Sequence, residues 1–346
     1  MLKSFFAPAS RMVPDLKAAS SRLRQGISRC LSFLLVLLIS ILLCYSPARS
    51  QGSFSANLVA ITAATIRKSS ELMTETTAAS NNEPPASFYE VLGKALKKRR
   101  TKLENLCPPS DSVARRVLED YGAMFVANKK VTPPPVCIFT SEAQVTKFQD
   151  EADYVTETID GADVELQPEA MKALLKAREE AQKEGLDITP RDGAEAARRS
   201  YEDSLNLWNT RFLPALDYWM AQGKLTEAQA ARLKSLPLHD QIAEVLELEK
   251  SGVYFSKDLS KSILYSIAAP GTSQHIAMLA FDINEFENPR VREILAKHGW
   301  FQTVLSDLPH FTFLGLKEKD LPSHGLKNVE ADGQIFWIPN VIDQRQ

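Results

Sequence analysis

Two short segments near the C-terminus carry two histidines and two aspartates at spacings that suit one shared cation. The first runs from Ser273-Gln274-His275 to Asp282; the second is Asp307-Leu308-Pro309-His310. Neutral imidazole and carboxylate are donors that zinc takes at ~2.0–2.2 Å, and three of them leave the fourth tetrahedral position to water. Water held this way has a pKa near ~7, so hydroxide is available at neutral pH. His275, Asp282 and His310 are therefore the candidate ligands of Zn2+. Asp307 is the candidate general base, able to take the water's proton and pass it to a leaving amine. In an extended chain, residues three apart face opposite sides, so Asp307 and His310 converge only through a bend at Leu308-Pro309. Pro309 fixes its own φ and restricts Leu308, which favours that bend.

The elements that must hold these residues are legible as a run of helices followed by short strands. Phe88 to Leu106 and Val113 to Val126 have helical periodicity, with Ser110 and Asp111 as caps for the second. Val136 to Phe139 reads as a short strand after a proline run. Pro168 to Lys183 places Ala170, Leu174, Ala177 and Ala181 on one face, with Pro168 in the first turn and Gly185 as the stop. Gly193 to Met220 reads as one long helix with Trp208, Phe212, Leu216 and Trp219 as core aromatics and aliphatics, and with Pro214 as a kink site. Thr226 to Ser235, His239 to Lys250 and Ser256 to Ser266 read as further helices, and Pro289 to His298 as a short one. Met278 to Ile283, His310 to Leu314 and Gln334 to Ile338 read as strands. The fold class expected is α+β: helices packed on a small antiparallel sheet that carries the zinc site, preceded by a helical N-terminal region. The remaining histidines, His239, His298 and His324, read as structural.

Several motifs, taken in order, resemble a known family. Pro270-Gly271-Thr272-Ser273-Gln274-His275 with Ala280 and Asp282 is similar to the P-G-x-S-x-H-x-x-G-x-A-x-D signature of the D-alanyl-D-alanine metallocarboxypeptidases, the zinc peptidases that include the vancomycin-resistance D,D-carboxypeptidases. Asp307 to His310 resembles that family's E-x-x-H, and Arg199-Ser200-Tyr201 its R-S-Y. The resemblance covers roughly residues 155–340. It implies a zinc peptidase acting on peptidoglycan stem peptides, with Arg199 contacting substrate and stabilising its carbonyl oxygen, and with Ser273 also at the substrate. The chain departs from the pattern at Met278, where the motif has glycine, and at Asp307, where it has glutamate. Ser204 and Ala269 replace a common glutamine and arginine. A peptidoglycan endopeptidase, an L,D-cleaving relative, and a catalytically impaired zinc-containing wall-binding module are the alternatives.

The chain has 346 residues, 44% hydrophobic and 24% charged, ordinary for a protein that buries a core. Residues 1–50 read as a signal peptide: basic residues from Lys3 to Arg29 precede the apolar run Leu31 to Leu43, and Ala48-Arg49-Ser50 fits cleavage before Gln51. The alternative is an uncleaved anchor through residues 31–44. Either reading exports the rest to the periplasm or the cell exterior. Residues 51–86 read as a linker, 87–154 as a helical region and 155–340 as the metallopeptidase domain. Seven of the 41 basic and one of the 43 acidic residues fall in the first fifty, so the remainder, 34 basic against 42 acidic, carries about −8. That sign argues against nucleic acid as a partner. Lys97-Lys98-Arg99-Arg100 reads as a solvated helix face. Past residue 50 the only cysteines are Cys107 and Cys137, which in an oxidising compartment are expected to pair.

Overall fold

Among the described residues, Asp111 marks where the first helix with a side-chain cap begins. Its carboxylate accepts from the backbone N–H groups of Val113 and Ala114, which would otherwise lack partners at a helix start. The structure is a computed structural model and describes residues 86–341. The export segment, its cleavage site or anchor, and nearly all of the linker expected from the sequence lie outside the described residues. Among the described residues no helix is long and apolar enough to cross a membrane.

The helices follow their apolar spacing. Helix α1 (Phe88–Lys98) buries Phe88, Leu92 and Leu96. Short α2 (Leu103–Leu106) leads to α3 (Ser112–Tyr121), and α4 (Glu142–Ala152) is capped by Ser141. Helix α5 (Pro168–Lys183) buries Ala170, Met171, Leu174, Ala177 and Ala181, the face read from the sequence, with proline at its first turn. Helix α6 (Tyr201–Ala221) buries Trp208, Phe212 and Leu216 and continues through Pro214. Helices α7 (Glu227–Ser235) and α8 (Leu238–Lys250) pack beside it, and α9 (Pro289–Lys297) lies later in the chain.

Among the described residues, three small antiparallel sheets complete an α+β fold. The hairpin β1 (Val155–Ile159) and β2 (Ala162–Leu166) turns at Asp160-Gly161. The central sheet has the order β3-β5-β4, formed by β3 (Ala280–Asp282), β4 (Trp300–Phe301) and β5 (His310–Phe313). The hairpin β6 (Leu326–Ala331) and β7 (Gln334–Pro339) turns at Asp332-Gly333. One apolar core joins Phe88 and Leu92 of α1 to Leu174, Phe281, Trp300 and Leu326, so residues 87–154 and the rest share an interior. A second gathers Trp208, Phe212, Val245 and Phe255. Cys107 and Cys137 are joined as a disulfide, with Cα atoms 5.3 Å apart.

Three expected elements differ. The long helix from Gly193 is divided: a 3-10 turn ends at Ala196, and α6 begins only after Ser200. The reason is a capping box, in which Ser200 and Asp203 satisfy each other's backbone N–H groups. Arg198 and Arg199 are left in non-helical chain between the two. Ser256 to Ser266 is not an α-helix; only Ile263–Tyr265 makes a 3-10 turn. There the Ser256 hydroxyl accepts from the backbone of Ser260 and Lys261, a side-chain alternative to helical bonding. Val136 to Phe139 forms no strand: Cys137 N–H bonds to Leu106 and Phe139 N–H to Gly271, two different partners rather than one ladder.

Candidate metal centre

His275 stands on a helix-like turn whose exit sets the position of Asp282. The backbone N–H groups of Ile276, Ala277 and Met278 bond back to Ser273, Gln274 and His275, and Leu279 N–H reaches Gln274 at 3.5 Å. This is the pattern of a Schellman stop, in which the residue after the last turn adopts a left-handed conformation. Met278 occupies that place, with φ +53° and no exposed surface. The chain then enters β3, and Asp282 ends the strand. The motif's glycine thus corresponds to a residue with positive φ, where a side chain costs ~1–2 kcal/mol.

His310 arrives from the other side. The turn Asp307-Leu308-Pro309-His310 is closed by His310 N–H to Asp307 O at 3.3 Å, and Ile283 N–H bonds to Pro309 O at 3.0 Å. Pairing of β3 with β5 sets Asp282 directly opposite His310. The result brings together three of the residues singled out from the sequence. His275 Nε2 lies 3.1 Å from His310 Nδ1 and 3.2 Å from Asp282 Oδ1, and His310 Nδ1 lies 3.0 Å from that same oxygen. Such separations are close to the ~3.3 Å between two ligands of a tetrahedral ion with bonds of ~2.0–2.1 Å.

The hydrogen bonds behind the ligands fix which atoms carry protons. His275 Nδ1 faces the Ala197 carbonyl oxygen at 2.7 Å, which can only accept, so Nδ1 holds the hydrogen and Nε2 is bare. His310 Nε2 faces Gln274 Oε1 at 2.8 Å. The Gln274 amide is oriented by its nitrogen, which donates to Tyr121 O at 2.8 Å, so Oε1 must accept from His310. Thr312 also donates its hydroxyl to that oxygen. In the neutral ring His310 Nδ1 is therefore bare too. Two nitrogen lone pairs and one carboxylate oxygen converge with no proton among them, an arrangement that a cation relieves. His275, Asp282 and His310 form a group able to hold a metal ion. Each histidine donates its second nitrogen to an oxygen, the usual support behind a metal-bound imidazole.

The electrostatics agree. Burial, reinforced by the Arg199 charge, holds His275 down at about 4, so it is neutral at physiological pH. Burial alone would raise Asp282, but positive charge shared with the His275 and His310 rings, as a proton or a bound cation, outweighs it and leaves this carboxyl well below the usual range. Burial pushes Asp307 up to about 6; the Asp282 charge adds to this, while His310, Arg199 and Arg191 oppose it. Asp307 is half-buried.

The two residues read as substrate contacts, Arg199 and Ser273, make the following contacts within the protein. Arg199, read as a substrate contact, donates Nη2 to Asp282 Oδ2 at 2.7 Å and Nε to Glu195 O. It anchors the carboxylate oxygen that faces away from the histidines. The Ser273 hydroxyl, also read as a substrate contact, accepts from the His275 backbone N–H at 3.3 Å, and Ser273 is buried. Glu285 is engaged by the backbone and hydroxyl of Thr189.

Sequence reasoning missed Gln274, Thr312, Ala197 and Gln302. The only signal for the first two was adjacency, one residue before His275 and two after His310. Gln302 donates its amide to Leu308 O and to Gln334 Oε1, both at 2.6 Å, and so holds the turn that carries Asp307. Comparison of the chain with protein-family models gives no match, and comparison with curated proteins gives none.

Proposed function

We propose that this chain is a zinc-dependent peptidase of the D,D-carboxypeptidase type, acting outside the cytoplasm on peptidoglycan stem peptides. The observation that carries the reading is the convergence of bare His275 Nε2, bare His310 Nδ1 and Asp282 Oδ1 within 3.2 Å of one another. Two imidazoles and one carboxylate are a donor set of catalytic zinc sites. The peptide substrate rests on the ordered motifs Arg199-Ser200-Tyr201, Ser273 to Asp282, and Asp307 to His310, and the compartment on the export reading of residues 1–50.

Zinc, when bound, supplies a Lewis acid and a water acidic enough to ionise near neutral pH. The chain's own residues do the rest. Arg199 fixes Asp282 by its outer oxygen, and Ala197 and Gln274 fix the two imidazoles. Asp307, on the turn held by Gln302, accepts the proton of the attacking water and returns it to the leaving amine.

The test is incubation of the purified protein with a synthetic stem peptide ending in D-Ala-D-Ala, read by mass spectrometry. The expected result is loss of the terminal residue, abolished by a chelator, restored by zinc and absent in His275→Ala. Cleavage at an internal bond would point to an endopeptidase. Stoichiometric zinc with an intact peptide would point to a wall-binding module. A wild type with no more zinc than His275→Ala would remove the metal reading altogether.

A further inference from the structure

A cleft of about 520 Å³ opens where the end of α9, the start of α5, the loop at Asn128 and the chain after β5 meet. It is lined by six lysines, Lys129, Lys130, Lys172, Lys176, Lys297 and Lys317, against one carboxylate, Glu169. None of its lining residues belongs to the metal group. The concentration of positive charge runs against the chain, whose part beyond residue 50 carries about −8.

Among the described residues, only two of these lysines have ion-pair partners. Lys130 bonds Glu169 at 2.9 Å, and Lys297 bonds Glu180 at 2.8 Å, an acid shared with His298. Lys129, Lys172, Lys176 and Lys317 have none. Bringing four unpaired ammonium groups to one concavity is unfavourable by like-charge repulsion, and an anion reverses the sign. The Glu169 carboxyl already responds: its hydrogen bond to Lys130, with the charges of Lys130, Lys172 and Lys176, holds it below the usual carboxylate range. Lys172 and Lys176 stand four apart on α5, so their side chains emerge ~5–6 Å from one another on one helix face.

We propose that this cleft binds a phosphate-rich polyanion, a chain of phosphate or phosphodiester groups. The lining cations are all ammonium groups. An ammonium binds phosphate oxygens as a point charge without imposing a direction, whereas a guanidinium forks onto phosphate and carboxylate alike. Two lysines a helical turn apart meet two successive anionic groups rather than one. Single-stranded nucleic acid is the less suitable member of the class, because it needs exposed aromatic platforms; Phe313, the one aromatic in the lining, is 2% exposed.

The test is calorimetric titration of the full chain with inorganic tripolyphosphate, beside Lys172→Glu/Lys176→Glu and Lys172→Arg/Lys176→Arg. Thermal melting and zinc content monitor folding of each. The expected result is saturable binding that weakens about tenfold or more when salt is raised from about 50 to about 200 mM. The Glu pair should bind at least about tenfold more weakly, and the Arg pair should keep most of the affinity, since charge is retained. A linear phosphodiester polymer such as a teichoic-type polyglycerol phosphate should compete for the site. Equal affinity of wild type and the Glu pair, or no binding by the wild type, overturns the proposal. So does binding to vesicles of anionic over neutral phospholipid without binding to tripolyphosphate, which would assign the face to a membrane.

Discussion

Asp282 and His310 are directly opposed partners in the antiparallel pairing of β3 with β5, and their side chains meet at 3.0 Å. A slip of one residue in this register would send every side chain of β5 to the other face. The metal group is therefore a property of the sheet as much as of the residues. The register is pinned at both ends, by Ile283 N–H to Pro309 O and by Phe313 N–H to Leu279 O.

Asp282→Asn tests the carboxylate. The amide keeps the shape but removes the charge that faces two bare nitrogens on one side and Arg199 on the other. Arg199 and Asp282 are each 14% exposed, so the change leaves a largely buried guanidinium without its counter-charge. Zinc affinity measured by competition with a chromogenic chelator should fall by at least about 100-fold, and the metal-free protein should lose roughly 3 kcal/mol, as expected when one partner of a buried pair is removed. Unchanged affinity would take Asp282 out of the ligand set.

Gln274→Leu tests the support behind His310. Gln274 touches no bare donor of the group, yet it fixes the tautomer that leaves His310 Nδ1 unprotonated. Losing an outer partner of this kind typically costs about 10–100-fold in metal affinity. The same chelator competition should show that fall with the three ligands intact. Wild-type affinity would mean the tautomer is set elsewhere.

How far the sequence reaches is clear from particular residues. The grouping of His275, Asp282 and His310 was legible because metal sites draw their donors from few residue types, and α5 was legible from its apolar face and its proline start. Neither hairpin was read as such, though Gln334 to Ile338 was read as a strand, and each carries the strongest short-range signal for one. Asp160-Gly161 and Asp332-Gly333 both have positive φ at both residues, as a two-residue turn between twisted strands requires. Alternation in β1 is hidden, because four of its five residues are exposed. The ion pair of Arg199 with Asp282 was not legible, because it depends on where α6 begins, which is decided by a capping box no periodicity reveals.

Met278→Gly sets two effects against each other. Glycine relieves the left-handed conformation at φ +53°, worth ~1–2 kcal/mol. It also removes a wholly buried side chain, and deletions of that size cost ~2–5 kcal/mol. The packing term is larger, so the variant should be less stable by about 1–3 kcal/mol in urea unfolding. It should still bind zinc, because the turn that exits from His275 suits glycine better. A variant more stable than wild type would show that strain dominates and that the Met278 side chain fills its space poorly.

Asp307 makes the sharpest prediction, because its ionisation, reach and charge can be varied separately. Burial raises it to about 6. A base must be ionised to accept a proton, so kcat/KM on the stem peptide should fall as pH drops through the value for the free enzyme. A bound divalent cation favours the carboxylate, which places this acidic limb below pH 6 in the zinc-loaded protein. Asp307→Asn should retain zinc, since the three ligands are untouched, yet lose about 10²–10⁴-fold in kcat. Asp307→Glu keeps the charge and lengthens the reach by one methylene, so it should keep measurable turnover with an acidic limb still present. Turnover of Asp307→Asn at the wild-type rate would move the base elsewhere. Glu285 is held by Thr189, so Glu287 would then be the carboxylate to replace.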